Sequence, residues 1–450
     1  MKSFMTLFRT EDGKTHLFTF ALVCCLFGIS GLCNGMIDVL NRHFKDTLGL
    51  SDSQSALVQG AWYGAYFLMA FPAGYVARRL GYRGGILTGL AIIAGGALLF
   101  IPVTGMSGGA GGIYAAFLGA LFAVGAGFTF LETVANPYAT VLGGPDGGAS
   151  RINLAQSFNA IGWVIGPVLG GKFTLASGGS GNATLYIPYL IVACVVIVLF
   201  FVFALSPVPN LQPPEEKPGS GGAPGRMLRR EHHFTSGLVA QFLYVAGQCA
   251  IFAFFITYIL DPAVSPALPG WLVEKLPADM CRAVGGHWYI TKGCSPYLLS
   301  AAFVLFAVGR FSGSLIQRYF RPEGVLGAYG LANVALMLLV IANLGWVSVI
   351  ALMVAFFFMS IMYPTIFALS IRGLGPNTKR AAAFLVATIV GGAIAPYLMG
   401  RVIDRSGMSV SFVIPAACFA YIAFYGMAWR RLHARGAEDD PSSPPAMLGH

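Results

Sequence analysis

The sequence has very few charged residues. Only 10% of its 450 residues are Asp, Glu, Lys or Arg, whereas about 25% is usual for a soluble domain. Hydrophobic residues make up 56% of the chain, which leaves too little polar surface for a water-soluble domain of this size. The composition therefore excludes an ordinary soluble enzyme or binding domain and indicates a protein that crosses a membrane many times.

Residue sets typical of active sites are also missing. No Ser/His/Asp, Cys/His or metal-ligand set lies inside an apolar run, so we expect no enzyme activity, no metal and no cofactor other than a proton gradient. Six of the eight cysteines lie within apolar runs and are interpreted as packing residues. Cys281 and Cys294 share a long external loop and form a candidate disulfide pair.

Apolar runs of about 20 residues recur along the chain, and each can cross a hydrocarbon layer about 30 Å thick. Irregular backbone is excluded from contact with lipid, so these runs are predicted to be helices and the fold class is an all-α membrane protein. Twelve transmembrane spans are predicted, at residues 17–41, 55–77, 85–104, 112–141, 152–175, 185–206, 235–260, 296–319, 323–344, 346–372, 380–402 and 410–429.

The distribution of basic residues predicts the orientation in the membrane. Most Lys and Arg residues fall in the termini and the even-numbered loops, which places both termini in the cytoplasm. This bias accounts for the net charge of +10, so the charge does not point to a nucleic-acid partner. The first span is interpreted as a retained helix, with a cleaved signal peptide as the alternative.

The chain is predicted to consist of two six-helix halves. Residues 207–234 are rich in Pro, Gly and Ser and form a cytoplasmic linker between halves at 1–206 and 235–430, with a disordered tail at 431–450. Three patterns repeat in the same order in both halves. They are Gly74-x4-Arg79-x5-Gly85 with Gly313-x4-Arg318-x5-Gly324, Pro137 with Pro364, and Gly162-x4-Pro167-x3-Gly171 with Gly391-x4-Pro396-x3-Gly400.

Three charged side chains in these spans are candidates for function. Glu132 lies near the middle of span four, and Asp38 lies closer to the external end of span one. A buried carboxyl group is costly and can load and release a proton, so this pair is a candidate proton relay; a packing acid and a helix-end charge are the alternatives. Arg310 in span eight could bind sugar hydroxyls or a carboxylate, or could tie helix ends together.

Amide side chains line spans five and seven. Asn153, Gln156, Asn159 and Trp163 lie near one face of span five, and Gln241, Tyr244 and Gln248 lie on one face of span seven. Amides beside aromatic rings suit recognition of a hydroxyl-rich ring, although hydrogen bonds between helices would use the same residues. The candidate binding residues are Asn159, Gln156, Gln241, Gln248, Tyr244, Trp163 and Arg310, with Asn34 and Asn136 added from spans one and four.

Prolines and arginines mark candidate gates. Pro137 and Pro364 interrupt corresponding spans, and either hinge motion or simple packing would explain them. Arg79, Arg83 and Arg318 lie at the cytoplasmic ends of spans two, three and eight and complete the candidate gating set.

Several segments resemble one known family, namely Phe130-Leu131-Glu132-Thr133-x-Ala135-Asn136-Pro137, Asn153-Leu154-Ala155-Gln156-Ser157-Phe158-Asn159 and Gly309-Arg310-Phe311-x-Gly313. The sequence is similar to the fucose/proton symporters, which are sugar transporters of the major facilitator superfamily. The resemblance implies twelve helices in two halves related by a pseudo-twofold axis, alternating access, and proton-driven uptake with key acids at Asp38 and Glu132. The chain departs from the wider superfamily pattern at Arg78, where an aspartate is usual.

The sequence therefore predicts a monomeric, proton-coupled monosaccharide symporter of a bacterial inner membrane. A hexose, a deoxyhexose and an N-acetylhexosamine all remain open as substrates. A sodium-coupled or uncoupled sugar carrier, and a sugar sensor that does not transport, are the competing hypotheses.

Overall fold

A computed structural model describes most of the chain. The described residues are 6–8, 15–48, 52–106, 110–144, 147–175, 186–206, 208–209, 228–261, 264, 266–275, 277, 280–290 and 295–438. They form two compact units, the first from Met1–Leu238, Phe367–Val390 and Arg431–His450 and the second from Val239–Ile366 and Gly391–Arg430. The predicted division into two halves and a linker stays a prediction.

The helices of the first unit follow the predicted spans closely. Span one is Leu17–Leu48, spans two and three share Asp52–Leu98, span four is Ala110–Val141, span five is Gly148–Leu175, and span six is Tyr186–Leu205. Span eleven contributes Thr378–Ala387 and the 3-10 turn Thr388–Val390. Shorter helical pieces are Thr6–Phe8, Phe100–Thr104, Leu228–Arg230 and Gly375–Asn377.

The remaining long helices lie mainly in the second unit. They are span seven, His232–Leu260; span eight, Ser295–Tyr319; span nine, Pro322–Ile341; span ten, Trp346–Met359 and Met362–Ile371; the second part of span eleven, Gly391–Ser406; and span twelve, Met408–Ser411 and Val413–Glu438. Gly270–Val273 forms one short helix in the loop before span eight.

The structure corrects two predicted boundaries. The loop expected between spans two and three is a helical turn in which only Gly81 departs from helical angles, with φ of 69°, a conformation that glycine adopts without steric cost. Span ten was predicted to be one helix over 346–372, but it is broken between Met359 and Met362. Pro364 lacks the N–H group that a continuous helix would need there.

A short β-hairpin lies in the loop between spans seven and eight and was not predicted. Strand β1, Cys281–Val284, pairs in antiparallel fashion with strand β2, His287–Ile290. The two residues that join them, Gly285 and Gly286, have φ of 58° and 81°, which a tight two-residue turn requires. The hairpin therefore depends on a Gly-Gly pair that the apolar pattern of the spans does not reveal.

Apolar length supports the predicted spans. Within the described residues, nine helices are long and apolar enough to cross a membrane, and one of them, Gly60–Val103, has 44 residues and is kinked at Gly81. Tyr189–Leu205 is a shorter apolar helix. Together with span five, whose side chains are described only in part, these helices account for twelve spans.

Glycines bring spans one and five into close contact. A Cβ atom on Gly166 would lie 2.5 Å from the carbonyl oxygen of Leu32, and one on Gly162 would overlap the backbone at Gly28 and Leu32. Gly31 faces the backbone of Asn159 in the same way. These glycines therefore allow the two helices to pack closely.

We expect Gly162→Ala to destabilise the purified protein. The added methyl group must displace the backbone of span one, at a cost of about 1–3 kcal/mol. Gly64→Ala is the matched control, because a Cβ atom at Gly64 meets nothing within 4 Å, and alanine is the better helix former. A lower melting temperature for Gly162→Ala alone supports this packing, and equal melting temperatures for both variants would contradict it.

Candidate functional site

Glu132 lies in the protein interior of the first unit. Its exposed fraction is 9%, so its side chain is not part of the lipid-facing surface. One turn later, Nδ2 of Asn136 donates a hydrogen bond to the carbonyl oxygen of Glu132 at 2.9 Å. The backbone of Glu132 is thus bonded to a polar side chain of the next helical turn.

Span five completes this polar cluster. Nε2 of Gln156 donates to Oδ1 of Asn136 at 2.9 Å, and both side chains are buried. This bond joins spans four and five one helical turn after Glu132. The structure therefore brings together three of the predicted site residues, Glu132, Asn136 and Gln156.

Spans one and two add polar groups to the same unit. The Tyr66 hydroxyl faces Asn34 and Ser30, and it lies within electrostatic reach of Glu132. Nδ2 of Asn34 also donates to the carbonyl oxygen of Ser30 at 2.9 Å. The position of Tyr66 relative to Glu132 depends on how the helices pack, so the sequence gives no signal for it.

The other amides of span five have separate contacts. Nδ2 of Asn159 donates to the carbonyl oxygen of Phe27 in span one at 3.3 Å, and Nδ2 of Asn153 donates to Ala149 on its own helix at 2.9 Å. Trp163 is half-buried at the end of this stripe. The interhelical role that the sequence left open for these amides is therefore present in the structure for Gln156 and Asn159.

Two predicted residues lie outside the part of the chain that is described. Asp38 is in the helical backbone of span one, but its side chain is outside the described residues. Cys281 begins strand β1 and is buried, whereas Cys294 is outside the described residues. The proton relay through Asp38 and the disulfide both stay predictions.

The candidate site residues of span seven lie in the second unit. Gln241 and Tyr244 are fully buried, and Gln248 is half-buried. The Tyr244 hydroxyl donates to the carbonyl oxygen of Met359 at 3.0 Å. Neither amide atom of Gln241 has a hydrogen-bond partner in the described part of the chain, and this arrangement suits binding of an external polar group.

Arg310 is also buried in the second unit, with an exposed fraction of 5%. Its Nε donates to the carbonyl oxygen of Ser360 at 2.8 Å, and its guanidinium carbon lies 4.8 Å from the ring centroid of Phe306. Arg310 thus contacts the point at which span ten is broken. This is the helix-tying alternative that the sequence offered for Arg310.

The predicted gating residues lie in different surroundings. Arg79 is exposed over the ring of Tyr75 at 5.4 Å, and the Arg83 guanidinium donates to the carbonyl oxygen of Ala204 at the end of span six. Arg318 is half-buried in the last turn of span eight. Of the prolines, Pro137 lies inside the continuous helix of span four and Pro364 follows the break in span ten.

Span two packs against the first part of span eleven. A Cβ atom on Gly74 would lie 2.6 Å from Cβ of Ala383, and the rings of Phe71 and Phe384 meet edge to face at 5.3 Å. Gly74 belongs to the repeated Gly-x4-Arg pattern, and the absence of a side chain there lets span two approach span eleven closely.

A buried arginine was missed by the sequence analysis. Arg151 is fully buried and donates to the carbonyl oxygens of Leu7 at 2.9 Å, Gly144 at 2.7 Å and Ala139 at 3.2 Å, and also to that of Thr140. It ties the N-terminal turn to the loop between spans four and five. A basic residue just outside a predicted span gives no sequence signal that separates burial from exposure.

Among the described residues, no group of three or more His, Cys, Asp or Glu side chains is arranged to hold a metal ion. The polar groups gathered around Glu132 are instead amides, hydroxyls and one carboxyl. Such a set can exchange a proton and offer donors and acceptors to a neutral polar ligand.

Comparison with known proteins identifies the family. A model of the Major Facilitator Superfamily matches residues 23–390. The chain belongs to this superfamily. Its all-α fold with twelve spans and its resemblance to the fucose/proton symporters are confirmed, and its relatives are transporters rather than enzymes.

The similarity extends over nearly the whole chain. The protein is 35% identical over 438 residues to the L-fucose-proton symporter of Escherichia coli (strain K12), covering 92% of this chain and 93% of that one. It is 33% identical over 424 residues to the glucose/galactose transporter of Brucella abortus (biovar 1, strain 9-941), covering 93% and 96%.

Solved structures show the same relationship. A crystal structure of a variant of the Escherichia coli fucose:proton symporter matches with a TM-score of 0.77 at 33% identity, covering 92% of this chain and 99% of that chain. The human organic anion transporter MFSD10 (TETRAN) matches with a TM-score of 0.57 at 17% identity, which shows a shared fold alone.

We expect Asn136 and Gln156 to be energetically coupled. In a double-mutant cycle of Asn136→Ala, Gln156→Ala and the double variant, the coupling should be about 0.6 kcal/mol and at most about 1.7, as for other hydrogen bonds between membrane helices. Unfolding in SDS measures it. Ser411→Ala, which removes a hydroxyl bonded within its own helix, should be additive with Asn136→Ala. Additivity in both cycles would contradict a stabilising bond between spans four and five.

Proposed function

We propose that this protein is a proton-coupled symporter that imports a monosaccharide across a bacterial inner membrane. The observation that carries the proposal is the position of Glu132, which is 9% exposed in the interior of span four and adjoins a cluster of amides and a tyrosine. The named substrates of the relatives, L-fucose and glucose or galactose, support a sugar as the ligand.

The chemistry of the cluster supports coupling to protons. A carboxylate in a low-dielectric interior is unstable, so the charged and neutral forms of Glu132 favour different surroundings. Protonation removes a charge that would oppose closure around a dry site. If the protein closes only when both a proton and a sugar are bound, the two cross the membrane together.

The side chains near Glu132 and in span seven support a hydroxyl-rich ligand. Gln156, Asn159 and Gln241 each present an amide with donor and acceptor atoms, and Trp163 offers an aromatic face. Gln241 gives the strongest support for a ligand, since both of its amide atoms are buried without a partner in the described part of the chain. A sugar hydroxyl can donate to one amide atom and accept from the other.

Glu132→Gln tests the coupling mechanism. Because glutamine resembles the neutral acid and cannot release a proton, we expect the variant in proteoliposomes to lose uphill sugar accumulation driven by a pH gradient and to keep sugar exchange at equal concentrations. Asp404→Asn, which changes an exposed carboxylate, is the control and should accumulate sugar normally. Wild-type accumulation by Glu132→Gln would overturn the mechanism.

Ion replacement tests the coupling ion. With L-fucose, D-glucose and D-galactose as probes, we expect uptake by the wild-type protein to be unchanged when choline replaces sodium at fixed pH. A protonophore should abolish accumulation, because only the proton gradient drives it. Uptake that requires sodium would favour sodium coupling, and binding of a probe without any flux would favour a sensor.

A further inference from the structure

The break in span ten lies directly before Pro364. In an α-helix each residue donates its N–H group to the carbonyl oxygen four residues earlier, and proline has no N–H to donate. For Pro364 that carbonyl belongs to Ser360. The structure gives this oxygen another donor, because Nε of Arg310 in span eight lies 2.8 Å from it.

Two other spans bind the backbone just before the break. The Tyr244 hydroxyl in span seven donates to the carbonyl oxygen of Met359 at 3.0 Å. In the orientation that satisfies its amide, Asn333 in span nine accepts from the backbone N–H of Met359 at 3.3 Å and donates to the carbonyl oxygen of Ala355 at 3.2 Å. Ser360 keeps helical angles, and backbone carbonyls that lose their helical donor at membrane depth are tolerated only with such partners.

Span eight is shaped to reach the break. A Cβ atom on Gly309 would lie 2.5 Å from the carbonyl oxygen of Phe357, and one on Gly313 would overlap the side chain of Ile361. The two glycines are four residues apart and therefore lie on one face of the helix. Arg310 extends from this contact, with the ring of Phe306 at 4.8 Å.

We propose that Arg310 is a positioning residue that replaces the backbone donor removed by Pro364 and thereby holds span ten in its broken form. The guanidinium group keeps its charge at every physiological pH, so this hydrogen bond persists while a carboxyl group elsewhere in the transporter is protonated and deprotonated. Arg310 acts on transport through the geometry of span ten. Only this last consequence rests on the proposed function.

The proposal predicts that Arg310 and Pro364 depend on each other. Arg310→Gln should lower the melting temperature of the ligand-free protein and raise hydrogen exchange in peptides covering residues 355–365 by about tenfold, because the Ser360 carbonyl loses its partner. Pro364→Ala supplies an N–H group to the same carbonyl. In that background, Arg310→Gln should have less than about a third of its effect on both measurements.

Arg401→Gln is the control for loss of an arginine, since its exposed guanidinium donates to the Tyr397 hydroxyl on its own helix. It should leave exchange in residues 355–365 unchanged. Equal effects of Arg310→Gln with and without Pro364 would overturn the proposal. If Arg310→Gln alone cannot be purified, recovery of folded protein in the double variant supports the proposal and failure to recover it overturns the proposal.

Transport kinetics distinguish positioning from sugar contact. With L-fucose and D-galactose as probes, we expect Arg310→Gln to lower the maximal rate of uptake about tenfold with less than about a threefold change in sugar affinity. Loss of affinity with unchanged exchange in residues 355–365 would instead assign Arg310 to the sugar. The ligand-free exchange experiment stands even if neither sugar is transported, so failure of the proposed function is seen separately.

Discussion

The lack of hydrogen-bonding solvent inside a membrane is the constraint on which this structure depends. A polar group that the helices bury is costly unless it finds a partner in the protein or a bound ligand. The Asn136–Gln156 bond between spans four and five and the Arg310–Ser360 bond between spans eight and ten are two answers to this requirement. In each case a side chain of one helix forms a hydrogen bond with a group on another helix. The same hydrogen bonds therefore also fix how the helices pack.

The two corresponding prolines show how differently one repeat can be used. Pro137 lies inside an unbroken helix, where the amide of the preceding residue, Asn136, bonds to the carbonyl of Glu132. Pro364 follows an interruption of the helical hydrogen bonds. There, Tyr244 and Arg310 of other spans donate to the carbonyl oxygens of Met359 and Ser360. A proline therefore sets which carbonyl loses its donor, and in span ten a side chain of another span supplies a donor in its place.

The sequence was sufficient for features that depend on composition or on spacing along one helix. Apolar length predicted the spans, and the depth of Glu132 within span four predicted its burial. It was insufficient wherever two distant segments had to meet. Nothing local to Met359 and Ser360 indicates a break, the burial of Arg151 depends on a loop and the N-terminal turn, and the neighbourhood of Tyr66 and Glu132 depends on helix packing.

Glu132 and Arg310 are both charged residues buried within their spans, and their chemistry suits them to opposite roles. A carboxyl group can become neutral, so Glu132 can make the stability of its surroundings depend on a proton. A guanidinium group cannot lose its charge at physiological pH, so any structure that Arg310 holds is the same before and after the proton moves. A transporter needs both properties, since a site that responds to a proton is useful only when the helices that shape it keep their geometry. The direct bond of Arg310 to a backbone carbonyl fits this constant role.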